Sequence, residues 1–270
     1  MVNSFLRKFM PVRVTSQRSS EFVSSVSPSF VKNQGEISKT YQDAGIYGRF
    51  INKSRLEAYQ YALMHFDVDL SCILDVGCSY GSWAENWRSL GFEKLCGIDP
   101  NPEAVAKAQA VFDEVNVAYS MELKKLYPRN NFIVANGVLV HILEEAQTVK
   151  FFQDVSGCLS PQGRFFFTVV NAKFYYSTGR KEWVGLNSCT RYLENYRAFI
   201  EQAGLEILEG GEIGTFIDPW ALPELEYIAS KEGLRKDWSL YQVFIDLAAI
   251  VRGISTSPFS EVLFVTGRKP

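Results

Sequence analysis

Residues 73–81 read Ile73-Leu74-Asp75-Val76-Gly77-Cys78-Ser79-Tyr80-Gly81, a short apolar run that meets an acid and then a turn of small residues. The run suits a buried parallel strand. Glycines at 77 and 81 let the backbone turn sharply and approach a ligand closely, and Ser82 with Glu85 forms the sequence pattern of a capping box that opens a helix. The order strand, tight turn, helix is the geometry that cradles a nucleoside-bearing cofactor.

Outward from this stretch, strands and helices alternate. Ser54 and Glu57 form a second capping-box pattern, and Leu56, Tyr59, Leu63 and Phe66 at helical spacing predict a helix over 54–66. A strand at 72–75, a helix over 82–90 and a strand at 95–98 ending on Asp99 follow. Asn101-Pro102-Glu103 supplies an N-cap, a proline at the first helical position and an acid in the first turn, which starts a helix toward Phe112. Strands are expected at 115–119, 132–135, 164–170, 205–208 and 261–266, with helices over 144–159 and 190–203. This alternation predicts a doubly wound, mostly parallel seven-stranded sheet with helices on both faces.

About 50 residues separate the last two strands, too many for a structureless connection in a compact domain. Leu222–Ser230 and Leu240–Val251 have apolar spacing suited to helices, so a helical insertion is expected over about 212–260. Residues 37–270 are read as one domain. Residues 1–36 are read as an N-terminal arm, flexible or a lid. The serine-rich, acid-poor composition of the first 30 also fits an organelle transit peptide. The expected compartment is the cytoplasm, or an organelle on the transit-peptide reading.

Composition narrows the function. Lys plus Arg is 28 and Asp plus Glu is 30, a net charge of −2, which gives no basis for binding a nucleic-acid backbone. Five cysteines without a Cys-x-x-Cys pair, and only His65 and His141 as imidazoles, argue against a zinc site or a disulfide framework. No stretch reaches the roughly 20 apolar residues of a membrane span. The expected ligands are a small-molecule substrate and a cofactor, with no metal, and oligomeric state is left open.

Asp99 lies about 20 residues beyond Gly77 at the end of the second strand, where a carboxylate accepts hydrogen bonds from ribose hydroxyls. The turn lacks Gly-x-Gly-x-x-Gly spacing, and Asp75 would repel a pyrophosphate, so a dinucleotide is disfavoured. Over about residues 54–210 and the final strand, the chain resembles the class I S-adenosylmethionine-dependent methyltransferases. Asp75, Gly77 and Gly81 match that family's first motif, while Ser79 stands where its central glycine is usual. The resemblance implies S-adenosyl-L-methionine as cofactor, held by Arg55, Asp75, Gly77, Cys78, Ser79, Gly81, Asp99, Pro100, Met121, Glu122, Asn136 and Gly137. Arg55, with Arg49 second, would meet the cofactor carboxylate; Asp75 would meet its ammonium; Asn136 and Gly137 would border the sulfonium.

Methyl transfer to a hydroxyl needs alignment and a base. His141, in a segment resembling the family's fourth motif, is the candidate catalytic base; its structural alternative is a histidine that caps the following helix. Gly137 and Val140 stand where some relatives carry metal-binding glutamates, which disfavours a metal-assisted route. Tyr47, Tyr175, Tyr176, Trp183 and Trp220 are the candidate acceptor-binding aromatics. The expected activity is O-methylation of a small molecule, with N-methylation, methylation of a sugar intermediate and a catalytically inactive cofactor-binding scaffold as the alternatives.

Overall fold

A computed structural model of the protein describes residues 45–177, 189–214 and 262–270. The sequence-predicted N-terminal arm and almost all of the helical insertion lie outside the described residues. Those described form one seven-stranded sheet in the order β3-β2-β1-β4-β5-β7-β6. Its strands are β1 Cys72–Val76, β2 Lys94–Asp99, β3 Glu114–Val117, β4 Asn130–Asn136, β5 Leu159–Val170, β6 Glu206–Ile213 and β7 Val262–Arg268. The first five run parallel, while β7 lies antiparallel between β5 and β6.

Alternation along the strands divides the core in two. Leu74, Val76, Ile133, Ala135, Phe165 and Phe167 face α5 (Glu145–Cys158) and α7 (Leu193–Gln202), meeting Phe151, Phe152, Val155, Tyr196 and Ile200. Ile73, Leu95, Phe132, Val134 and Phe166 point the other way, toward α1 (Gly45–His65) and α2 (Ala84–Ser89), where Tyr59, Ala62, Trp83 and Trp87 cover them. Truncating one of these buried rings to alanine would cost about 3–5 kcal/mol, since transfer and cavity penalties add. The helices α3 (Pro102–Ala108), α4 (Leu123–Leu126) and α6 (Ala172–Ser177) complete the set that the described residues form.

Two sequence-predicted helix starts are corrected. α1 begins at Gly45, well before Ser54, so the Ser54 and Glu57 pattern falls inside a helix and caps nothing. α2 begins at Ala84, with Trp83 as the N-cap residue and no side-chain cap bond. The turn after β1 is the reason: Gly81 N–H bonds the Cys78 carbonyl and Ala84 N–H bonds the Gly81 carbonyl, carrying the tight turn past Ser82. The start at Asn101 is as expected, its side chain accepting from Glu103 N–H at 3.0 Å with Pro102 at the first position.

The strand order locates the functional edge. From β1 the chain moves outward through β2 and β3, then returns to the other side of β1 as β4. The loops after β1 and β4 therefore leave in opposite directions and open a crevice at their carboxyl ends.

Candidate active site

Three carboxyl ends meet at this crevice: β1 carries Asp75, β2 ends on Asp99 and β4 ends on Asn136. After β1 the backbone turns at Gly77, whose φ is 79°, a left-handed value that favours glycine. A Cβ at Gly77 would lie 2.4 Å from Val138 Cγ2, so a side chain is excluded by contact as well as by backbone shape. Gly77 and Cys78 N–H groups both bond the Ile98 carbonyl, at 2.8 and 3.1 Å, which ties the turn to β2. Ser79 adopts φ 50°, and its hydroxyl is buried without a hydrogen-bond partner. Serine thus takes the backbone conformation a glycine would hold, at about 1 kcal/mol of strain.

Asp99 is 1% exposed and accepts two amides: Ser79 N–H on Oδ2 at 2.9 Å and Asn101 N–H on Oδ1 at 2.8 Å. Burial outweighs these bonds and raises its carboxyl to about 6. Asp75 is buried, accepts Trp87 Nε1–H at 2.9 Å, and is pushed up to about 7 by desolvation, with Asp99 adding to the shift. Among the described residues neither acid forms an ion pair, so a cation arriving here would meet carboxylates that no other charge has engaged. Burial and the two acids also raise the Cys78 thiol far above its ordinary range, which marks it as a packing residue.

Tyr59 reaches from α1 to the end of β4, where its hydroxyl donates to Asn136 Oδ1 at 2.8 Å. Thr168 on β5 donates to the same oxygen at 3.0 Å. Tyr59 packs against Trp83, Trp87 and Phe166 at ring separations of 5.7, 4.7 and 4.0 Å, and its phenol is raised first by burial and then by Asp75. Arg55, one turn earlier on α1, is buried, acts electrostatically on Tyr59, and leaves Nε without a partner. Arg55, Tyr59, Asp75, Trp87 and Asn136 are thereby gathered at one place.

The remaining sequence candidates divide. Gly81 has φ 79° and packs on α3, with Val111 2.6 Å from its would-be Cβ. Gly137 has φ 70° and, among the described residues, nothing within 4 Å of its would-be Cβ, so these residues leave open space at the end of β4. Pro100 is half-buried beside Asp99. Met121 is 63% exposed, and Glu122 folds back to accept Tyr119 N–H at 3.1 Å, closing the turn after β3. His141 is half-buried at the end of the 3₁₀ turn Leu139–His141. Tyr176 stacks on Tyr192 at 5.9 Å. Tyr47 lies on α1 and Tyr175 on α6, but their side chains are outside what is described, and Trp183 and Trp220 lie outside the described residues.

Sequence reasoning missed Tyr59, Trp87 and Thr168 as site residues. A partial signal existed for Trp87: a buried indole N–H needs an acceptor, and the two strand-end acids Asp75 and Asp99 stand equally far from it in sequence. For Tyr59 and Thr168 no pattern in the sequence separates a network hydroxyl from ordinary core. Among the described residues no group of acids, histidines and cysteines is arranged to hold a metal, and no helix is long and apolar enough to cross a membrane.

The donor set fits S-adenosylmethionine. Two buried acids that form no ion pair among the described residues suit an ammonium and a pair of ribose hydroxyls, the orphaned Arg55 Nε suits a carboxylate, and the space that the described residues leave open at Gly137 gives room for a ligand. A family model described as a methyltransferase domain matches residues 47–209, more than half of the chain. No curated protein matches. Among solved structures, a chain from the complex of the Haloferax volcanii Trm112 methyltransferase activator with a methyltransferase is 19% identical, with a TM-score of 0.56 over 91% of this chain and 100% of that one. An S-adenosylmethionine-dependent methyltransferase from Clostridium acetobutylicum is 12% identical, with a TM-score of 0.55 over 88% and 98%. A TehB-like methyltransferase from Corynebacterium glutamicum is 18% identical, with a TM-score of 0.53 over 90% and 100%. Those identities speak for the fold; the family match, running from α1 into β6, places the chain among the class I S-adenosylmethionine-dependent methyltransferases.

Proposed function

We propose that this methyltransferase acts on the hydroxyl of a small-molecule acceptor in the cytoplasm, with the cofactor seated over the carboxyl ends of β1 and β2. The supporting observation is the pair of buried acids, Asp75 and Asp99, raised to about 7 and about 6 and forming no ion pair among the described residues. Asp99 keeps lone pairs for ribose hydroxyls beyond the amides it already accepts, and those amides fix its rotamer. Asp75, held by Trp87, meets the ammonium, and Arg55 meets the carboxylate. Gly77, Cys78, Ser79 and Gly81 supply the close backbone; Pro100, Met121 and Glu122 flank the adenosine end; Asn136 and Gly137 border the sulfonium.

Bound S-adenosylmethionine supplies a methyl group made electrophilic by sulfonium charge. The chain's part is alignment, exclusion of water and removal of the acceptor's proton. His141 accepts that proton, and Tyr176 with Tyr47, Tyr175, Trp183 and Trp220 shapes an apolar enclosure for the acceptor. Transfer of a labelled methyl group to a panel of phenols and alcohols, followed by mass spectrometry, tests the reading. Turnover of at least one hydroxyl acceptor is expected, with kcat falling about 100-fold in His141→Ala. Turnover confined to amines, or His141→Ala turning over as the parent does, contradicts it.

A further inference from the structure

The network at the end of β4 fixes which way the Asn136 amide points. Tyr59 and Thr168 hydroxyls both lie on Oδ1, at 2.8 and 3.0 Å, and among the described residues neither hydroxyl has another hydrogen-bond partner. With Oδ1 toward them, both hydroxyl protons are accepted. Reversing the amide would leave both protons without acceptors and bury Oδ1 unpaired as well. With the amide reversed, Nδ2–H would donate to the two hydroxyl oxygens, so either orientation forms two bonds; the observed one is favoured because it leaves two amide protons unpaired rather than two hydroxyl protons and Oδ1. Its consequence is that Nδ2, buried and without a partner, is the group left over. A buried amide N–H₂ with nothing to bond is destabilising, and an arriving acceptor atom relieves that cost.

Gly137 follows immediately, with φ 70° and, among the described residues, no atom within 4 Å of its would-be Cβ, so open space adjoins the residue next to the one that carries this donor. We infer that Asn136 selects for an oxygen nucleophile: Nδ2–H bonds the acceptor's hydroxyl or phenolate oxygen, while Tyr59 and Thr168 hold the amide in that orientation as positioning residues. A neutral amine has a single lone pair, which must face the methyl group and so cannot also accept from Nδ2–H, whereas a hydroxyl oxygen keeps a second lone pair for that bond. This inference rests on the hydroxyl-methylation reading above and deepens it by naming the residue that selects oxygen over nitrogen.

The test uses the full chain saturated with S-adenosylhomocysteine, titrated calorimetrically with ring-matched pairs: phenol and aniline, catechol and 1,2-diaminobenzene, 4-hydroxybenzoate and 4-aminobenzoate. In at least one pair the oxygen member should bind about tenfold tighter, the worth of one buried hydrogen bond. Asn136→Asp keeps an oxygen for Tyr59 and Thr168 but exchanges the donor for an acceptor, and should abolish or reverse the preference. Asn136→Ala should abolish it without reversal. Tyr59→Phe and Thr168→Val, which each remove one hydroxyl from Oδ1, should each reduce the preference at least about threefold, an effect that a purely structural role would not produce. Equal affinities, tighter amine binding, binding by no oxygen member, or a preference that survives in Asn136→Ala would overturn the inference. Failure to bind S-adenosylhomocysteine in the first place would instead strike the methyl-transfer reading itself.

Discussion

The turns after β1 and β4 use the same backbone device in opposite surroundings. Gly77 and Gly137 both take left-handed φ values, 79° and 70°. Around Gly77 the space is filled: Val138 sits where a Cβ would go, and two amides of the turn share the Ile98 carbonyl. Around the would-be Cβ of Gly137 no described residue comes within 4 Å, and the adjacent Asn136 keeps an unpaired donor. The carboxylates beside the first turn already hold Trp87, Ser79 and Asn101. One turn is a finished cradle whose shape precedes its ligand, whereas the other is left incomplete in both volume and hydrogen bonding. On the functional reading proposed above, the first suits an invariant cofactor and the second an acceptor.

Substituting the two glycines is the sharpest way to break this comparison. Gly77→Ala adds a clash with Val138 to the backbone strain, and should cost about 3 kcal/mol in urea unfolding. Gly137→Ala carries the strain alone and should cost about 1 kcal/mol. Equal losses would mean that the two turns do not differ in packing.

Asp75→Asn probes the charge stored in the first turn. Because burial lifts the folded carboxyl from 3.8 to about 7, the folded state binds the extra proton between those values. Asp75 therefore costs nothing below about pH 4, stability falls as pH rises from about 4 to about 7, and the full penalty stands above 7. The asparagine variant, which still offers Trp87 an oxygen, should be more stable than the parent by about 4 kcal/mol at pH 8 and indistinguishable at pH 4. Thermal melts across that range check it, and a variant less stable at pH 8 would contradict the account.

Ser79→Gly gives the smallest effect. Relief of the left-handed strain is partly offset by the entropy glycine loses on folding, leaving a gain of about 0.5 kcal/mol. A clear loss of stability in chemical denaturation would show that the serine hydroxyl contributes something the geometry does not reveal.

Much of this cradle was legible in the sequence because strands and glycine turns are local signals. Apolar runs ending on Asp75 and Asp99 marked β1 and β2, and alternating elements marked a doubly wound sheet with its crevice at the strand ends. The helix starts were misread where a local capping pattern competed with a longer-range constraint. Ser82 could cap a helix, but the turn anchored on Ile98 runs one residue further. The network at Asn136 was not legible, because Tyr59, Thr168 and Asn136 come from three elements and only the register of β4 on β5, with α1 above, brings them together. Tyr59 read as one apolar position in a helical stripe, and its hydroxyl gains meaning only once the fold exists.

Calorimetric titration of S-adenosylhomocysteine into the folded parent and into Asp99→Ala tests most directly the claim that the ends of β1 and β2 form the cofactor seat. The parent should bind one equivalent. Asp99→Ala should bind about 100-fold more weakly, because it loses charge-assisted bonds to the ribose together with the amides that shape the turn. A folded parent that binds no S-adenosylhomocysteine, or an Asp99→Ala variant that binds it as tightly as the parent, would contradict the assignment.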